Sequence, residues 1–196
     1  MTGKTHMAIG ITAALTISYG QPLENQLIIV LASAISSLIP DLDHPKGKIN
    51  QKILLIKSNF YRVLFYIFIG GIFIYLYYLM KSKIFLFLGI GSFLVGISSH
   101  RGFTHSIIGF LASTSIVSLG KLDYGLDAIY SGFIIGYFLH IVADLFTSKG
   151  VKLFYPLNNN ISFPITIKTN SKFESMIFRL LVIYCVCILF IQIMII

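Results

Sequence analysis

Seven apolar stretches run through this chain, at residues 7–19, 27–40, 62–80, 84–99, 104–119, 126–147 and 176–196, and they leave little sequence from which to build a water-soluble surface. A helix that crosses a bilayer needs about 20 residues. Arg62 to Met80 and Met176 to Ile196 reach that length unaided. The first two stretches are shorter and rich in small residues (Ala13, Ala14, Ala32, Ser33, Ala34, Ser36, Ser37), which suits helices packed against protein rather than lipid. Composition agrees: 56% of the residues are hydrophobic and 11% charged, against about 25% charged in a soluble domain. Soluble, disordered, disulfide-scaffold and coiled-coil classes are excluded. The expectation is an all-α, polytopic helical membrane protein of about six to seven transmembrane segments, one integral membrane domain over 1–196. Residues 151–175 read as a cytoplasmic loop and 176–196 as the final transmembrane helix.

The polar residues divide unevenly. Alternating the stretches places 1–6, 41–61, 100–103 and 148–175 on one side, and 20–26, 81–83 and 120–125 on the other. With flanking helix ends, the first side holds 12 of the 15 Lys and Arg and the second holds Lys81, Lys83 and Lys121. The positive-inside rule makes the N-terminal side cytoplasmic. The net charge of +8 then marks loops facing an anionic leaflet; no basic arm for nucleic acid is present. Met1 to His6 is polar and the stretch behind it lacks a small-residue cleavage pattern, which predicts no cleaved signal peptide. Cys185 and Cys187 lie two apart on one helix, point to different faces, and suit neither a disulfide nor a metal pair.

All five histidines fall on that same N-terminal side. His6 opens the first stretch. Asp41, Asp43 and His44 follow the second, bracketed by Pro40 and Pro45, which favour a stiff, extended turn. His100 and His105 bracket a link in which Arg101 and Gly102 can turn both rings toward one centre. His140 and Asp144 stand at i and i+4, on one helix face about 6 Å apart. Such a pair inside an apolar helix needs a partner, either a divalent cation or mutual pairing that locks helices together. Mixed His/Asp donors without thiolate suit Zn²⁺ or Mn²⁺. Multi-metal sites of this kind hydrolyse phosphoesters. Arg101 is suited to grip a phosphate.

Four motifs carry a resemblance: Thr5-His6-x-x-x-Gly10, Pro40-Asp41-Leu42-Asp43-His44, His100-Arg101-Gly102-x-Thr104-His105-Ser106, and His140-x-x-x-Asp144-x-x-Thr147-x-x-Gly150. In this order, within 5–150, the sequence resembles the YdjM-type family of membrane-bound, metal-dependent hydrolases, also described as LexA-binding and inner-membrane-associated. More distantly it is similar to the zinc-dependent phospholipase C and single-strand nuclease group. The resemblance implies a cell inner-membrane protein with a metal site, zinc first and manganese second. His6, Asp41, His100, His105, His140 and Asp144 would be the ligands. By their own chemistry, His6, Asp43 and His44 would complete the site or act in proton transfer, and Arg101 would orient a phosphate. The expected activity is hydrolysis of a phosphoester in a lipid or lipid-linked substrate at the cytoplasmic face. The rival expectations are a divalent-metal transporter or sensor, and a non-catalytic membrane protein that binds a cytoplasmic regulatory protein through its basic loops.

Overall fold

The computed structural model describes residues 1–195. Among them the regular structure is helical: α1 (Gly3–Ile17), α2 (Leu23–Ser36), α3 (Asn50–Ile53), α4 (Asn59–Met80), α5 (Lys83–Ile97), α6 (Ile107–Tyr124), α7 (Asp127–Leu145) and α8 (Lys172–Ile195), with 3-10 turns at Pro40–Asp43 and Phe103–His105. The stretch between α7 and α8 carries isolated bridges, Thr147 with Ile167 and Val151 with Ile161. Each of the seven apolar stretches holds one long helix, so the all-helical class expected from the sequence holds. Helix α8 starts four residues ahead of its apolar stretch, and Ile196, at its expected end, lies outside the described residues.

Four helical stretches are long and apolar enough to cross a bilayer: Leu23–Asp43, Asn59–Met80, Asp127–Leu145 and Lys172–Met194. The other helices fall short of the ~30 Å hydrocarbon core by length or composition: α1 and α5 have 15 residues each, and α6 carries Lys121 and Asp123 near its end. None of the most apolar stretch of α8 is buried within the protein. A helix so apolar and with no residue of that stretch fully buried fits a largely lipid surround.

Local chemistry sets the helix limits. The Ser58 hydroxyl accepts from Tyr61 N to start α4, and Ser106 from Gly109 N to start α6. Lys81 (φ 55°) and Gly125 (φ 68°) close α4 and α6 in the left-handed conformation. The Pro40–Pro45 segment departs from a wholly extended turn. The fixed φ of Pro40 suits the first position of the 3-10 turn, and the chain extends only at His44 (φ −116°, ψ 126°), the residue before Pro45.

The chain divides into two compact units that alternate along the sequence. The first comprises Met1–Leu38, Asp127–Val151 and the described residues from Asn160 onward. In it α7 lies directly on α2, because Gly132 and Gly136 present no side chain. A methyl at Gly132 would overlap the Ile29 carbonyl, and one at Gly136 the Ser33 carbonyl and the Ser36 hydroxyl. Ser33 Oγ donates to Gly10 O at 2.9 Å, which ties α1 to the same helix. Small residues thus substitute close backbone approach for the hydrophobic drive that lipid removes. Helix α8 meets α1 through Cys185 Sγ, 3.1 Å from Thr12 Oγ1, and Tyr184 Oη, 3.1 Å from Thr16 Oγ1.

The second unit, Ile39–Leu126 with Lys152–Asn159, holds the α4–α5 hairpin and α6. Its polar side chains pin its turns. Arg62, buried in the first turn of α4, donates from Nη2 to the carbonyls of Gly96 (3.2 Å) and Ser98 (2.9 Å). Asn50 Nδ2 donates to the Leu42 and His44 carbonyls, and its Oδ1 accepts from Tyr66 Oη at 2.7 Å. The 3-10 turn that bears Asp41 and Asp43 is thereby fixed to α3 and α4.

Candidate metal centres

The ionisable residues gather into two donor sets, one within each unit. In the first unit, α1 supplies His6 while α7 supplies His140 and Asp144. All three are buried, and one ligand atom from each lies within 4.8 Å of the others. His6 Nε2 stands 3.3 Å from Asp144 Oδ1, and His140 Nε2 stands 3.8 Å from Asp144 Oδ2. The two imidazoles stack with centroids 3.9 Å apart. His140 Nδ1 lies 2.7 Å from the Ser37 carbonyl oxygen, which only accepts. Nδ1 therefore carries a proton, and Nε2 is the nitrogen that faces Asp144. His6 Nδ1 is buried with no hydrogen-bond partner. The α-amino group of Met1 also contacts Asp144 Oδ1, at 3.0 Å.

Glu174, on α8, holds this arrangement from outside. Its Oε1 accepts from Thr2 N (2.6 Å) and Thr5 Oγ1 (2.9 Å), and its Oε2 from Asn170 N (2.7 Å). One carboxylate thus satisfies backbone donors at the start of α1, beside His6, and in the turn that leads into α8.

In the second unit, the 3-10 turns bring together Asp41, His100 and His105, again with one ligand atom each within 4.8 Å of the others. His105 Nε2 is 3.7 Å from Asp41 Oδ1. The rings of His100 and His105 stand perpendicular with centroids 5.6 Å apart. Asp43 lies buried behind them. Its Oδ1 is 2.8 Å from His100 Nδ1, and its Oδ2 accepts from Arg101 N (2.9 Å) and Thr104 Oγ1 (2.6 Å). With its own proton given to Asp43, Thr104 Oγ1 receives one from His105 Nδ1 at 3.1 Å. Both rings then carry a proton on Nδ1, which makes Nε2 the candidate ligand nitrogen.

Arg101 makes this turn with φ at 62°, a left-handed conformation rare for a residue with a side chain. His44 packs against His100 with centroids 4.4 Å apart, and its Nδ1 accepts from Lys46 N at 3.1 Å. Burial first, then the neighbouring His100 and Arg62, hold the His44 imidazole below its usual range, against an opposing pull from Asp43 and Asp41.

Each set offers two imidazole nitrogens and one carboxylate oxygen. Three ligands of this kind suit a zinc or manganese ion that keeps further positions open. Besides the donor chemistry, the orphaned His6 Nδ1 and the carbonyl and carboxylate behind the other rings make both sets fit a divalent cation. The sets differ in access: His6, His140 and Asp144 are all buried, whereas Asp41 is half-buried and His100 exposed. Sequence reasoning read Ser37 only as a small residue, Thr104 only as a motif position and Arg62 only as one of the basic residues on the N-terminal side, and passed over Glu174, Asn50 and Tyr66. The Thr-His pair inside the His100–Ser106 block was the one local signal among these.

Comparison with known proteins places the chain. The family described as YdjM inner membrane protein matches residues 1–196. An uncharacterized protein of Bacillus subtilis (strain 168), YvsG, is 26% identical over 177 residues, covering 90% of this chain and 87% of that protein. The inner membrane protein YdjM of Escherichia coli (strain K12) is 27% identical over 143 residues, covering 71% of this chain and 55% of its own length; that of Shigella flexneri matches equally. The chain thus spans about half the length of these last two relatives. No solved structure matches. With four helices able to cross a bilayer and a match from first residue to last, the chain belongs to the YdjM inner membrane protein family.

Proposed function

We propose that this protein is a membrane-bound, metal-dependent hydrolase, acting on a phosphoester in a lipid or lipid-linked substrate at the cytoplasmic face of the inner membrane. One observation carries the reading. In both donor sets a group that only accepts stands behind a histidine at Nδ1, the Ser37 carbonyl behind His140 and Asp43 behind His100, which makes Nε2 the candidate ligand nitrogen. Ligating histidines carry such a partner behind the ring, and that supports the reading.

In this reading His6, His140 and Asp144 hold one divalent cation and Asp41, His100 and His105 another, zinc first and manganese second. A cation bound there supplies Lewis acidity toward a phosphoryl oxygen. The chain's own residues do the rest. Asp43 spends its oxygens on His100, Arg101 N and Thr104, so it acts as a positioning residue more than as a proton carrier. His44, with Nδ1 already accepting from Lys46 N, exchanges a proton through Nε2. Arg101 orients the phosphate through its guanidinium. The more exposed set, Asp41 with His100 and His105, is where water and a headgroup arrive.

Position supports a lipid substrate: Asp41 and Asp43 end one candidate span, Leu23–Asp43, and Asn59 begins the next. Such a position supports a set at headgroup depth. The lysine and arginine excess supports a cytoplasmic orientation, and α1, α5 and α6 serve as shorter crossings that bring the total to seven.

The test is metal content by plasma mass spectrometry on the detergent-purified protein and its His140→Ala variant side by side. Near-stoichiometric zinc or manganese that falls in the variant supports the reading and opens a screen of phospholipids and lipid pyrophosphates, in which Asp144→Ala loses turnover. Equal background metal in both proteins after reloading overturns it.

A further inference from the structure

The segment between the spans Leu23–Asp43 and Asn59–Met80 lies outside both spans and is only partly covered by protein. Its exposed surface has two kinds of side chain. Lys46, Lys52 and Lys57 are exposed, with Lys48 between them. Ile53, Leu55 and Ile56 are also outward, exposed by 42%, 100% and 49%. Only Leu54 and Asn50 turn inward from this segment. Apolar side chains exposed on a spanning helix meet lipid tails, but residues 44–58 lie outside both spans, so lipid tails along a span do not account for these three.

We propose that residues 46–57 form an interfacial arm that binds anionic phospholipid headgroups. Lys46, Lys52 and Lys57 reach the phosphates while Ile53, Leu55 and Ile56 enter the boundary between headgroups and tails. Charge complementarity selects the occupant. Four lysines stand within residues 46–57, and no Asp or Glu occurs from His44 to Leu122. A second copy of the arm would set lysine against lysine. An anionic lipid surface takes both parts of the pattern, since apolar insertion and attraction to acidic headgroups add.

The arm is not a loose tether. Asn50 Nδ2 donates to the Leu42 and His44 carbonyls, so the arm is fixed to the turn that carries Asp41 and Asp43. If the hydrolase reading above holds, on which this consequence alone rests, the substrate is an anionic phospholipid captured beside that donor set.

The chain contains no Trp, so Leu55→Trp places a single fluorophore at a fully exposed position. The full-length variant is reconstituted in phosphatidylcholine vesicles that contain a minority of tail-brominated phosphatidylglycerol or of tail-brominated phosphatidylcholine. The expected result is blue-shifted emission, quenched far more by the brominated phosphatidylglycerol. At about 1 kcal/mol per basic residue near the surface, the enrichment is roughly five-fold per lysine. Lys52→Gln with Lys57→Gln should lower it by about ten-fold or more, and Lys52→Arg with Lys57→Arg should retain it. Equal quenching by the two lipids overturns the anionic assignment. Water-like, unquenched emission in both vesicles overturns a lipid occupant and points to a protein one. No turnover enters the readout, so a chain that hydrolyses nothing still gives the expected result, and failure of the hydrolase reading is seen separately.

Discussion

Replacing Asp43 by Asn tests whether this carboxylate positions the histidines or moves a proton itself. The change is isosteric, but it exchanges one accepting oxygen for an NH₂ group that donates. The Oδ2 side faces two donors, Arg101 N at 2.9 Å and Thr104 Oγ1 at 2.6 Å. The remaining carbonyl oxygen must stay there, because the NH₂ group would meet a backbone N–H that cannot turn away. The NH₂ group then faces His100 Nδ1, where Asp43 Oδ1 now lies 2.8 Å away. His100 must accept at Nδ1, its proton moves to Nε2, and the lone pair offered beside Asp41 disappears.

Loss of such an orienting partner lowers metal affinity by about 10–100-fold, or roughly 1.4–2.7 kcal/mol. Weakening of buried, charge-assisted hydrogen bonds lowers fold stability by about 1–3 kcal/mol besides. The measurement is competition against a chromophoric chelator on detergent-purified protein, in a His140→Ala background that leaves the second unit's set alone to bind. Asp43→Asn should release metal at correspondingly lower chelator, with helix content by circular dichroism unchanged. Unchanged affinity in that background, together with turnover lost when Asp43→Asn is made alone in the otherwise unaltered chain, refutes the argument and makes Asp43 a direct participant in proton transfer.

Further substitutions probe the scaffold. Gly136→Ala drives a methyl into the Ser33 carbonyl and Ser36 hydroxyl and should lower stability by about 1–3 kcal/mol. Gly71→Ala, whose added methyl meets nothing within 4 Å, should raise it by about 0.5–1 kcal/mol; thermal unfolding in detergent compares the two. Arg101→Gly relieves the left-handed residue at φ 62°, while Arg101→Val strains it further, so the midpoint should hold or rise in the first and fall in the second. Turnover lost in both would then be traced to the guanidinium. Glu174→Gln sets its NH₂ group against Asn170 N or Thr2 N and should lower the midpoint by the equivalent of about 1–3 kcal/mol, with hydrogen exchange rising first at the start of α1.

The fold was legible because lipid and water impose opposite demands on side chains. Each apolar stretch became a helix, since a backbone outside water must satisfy its own hydrogen bonds. The ends were less legible. Helix α8 begins at Lys172 because Ser171 Oγ accepts from Glu174 N while Glu174 reaches back to Asn170 N, a reciprocal cap that hydropathy does not register. The two-unit division was not legible either. Residues 152–159 belong with Ile39–Leu126, far from them in sequence, through contacts such as Lys152 N to the Arg101 carbonyl at 3.3 Å.

For the site, the sequence exposed the residues that violate their surroundings and concealed those that satisfy them. A histidine and an aspartate four apart inside an apolar helix are conspicuous, because an ionisable pair there requires a partner. The group that orients His140 is a main-chain carbonyl, at Ser37, and every residue has one. It lies 103 residues away and comes into reach only because Gly136 lets α7 settle onto α2. Asp43 was visible as a carboxylate among ligands, but whether a carboxylate binds, orients or transfers depends on what occupies its oxygens. Here a backbone amide, a threonine hydroxyl and an imidazole occupy them, all from a turn that folds back 57 to 61 residues later. Residue type marks where chemistry is concentrated. The partition of roles within it is written in hydrogen bonds between distant segments, and those follow from packing.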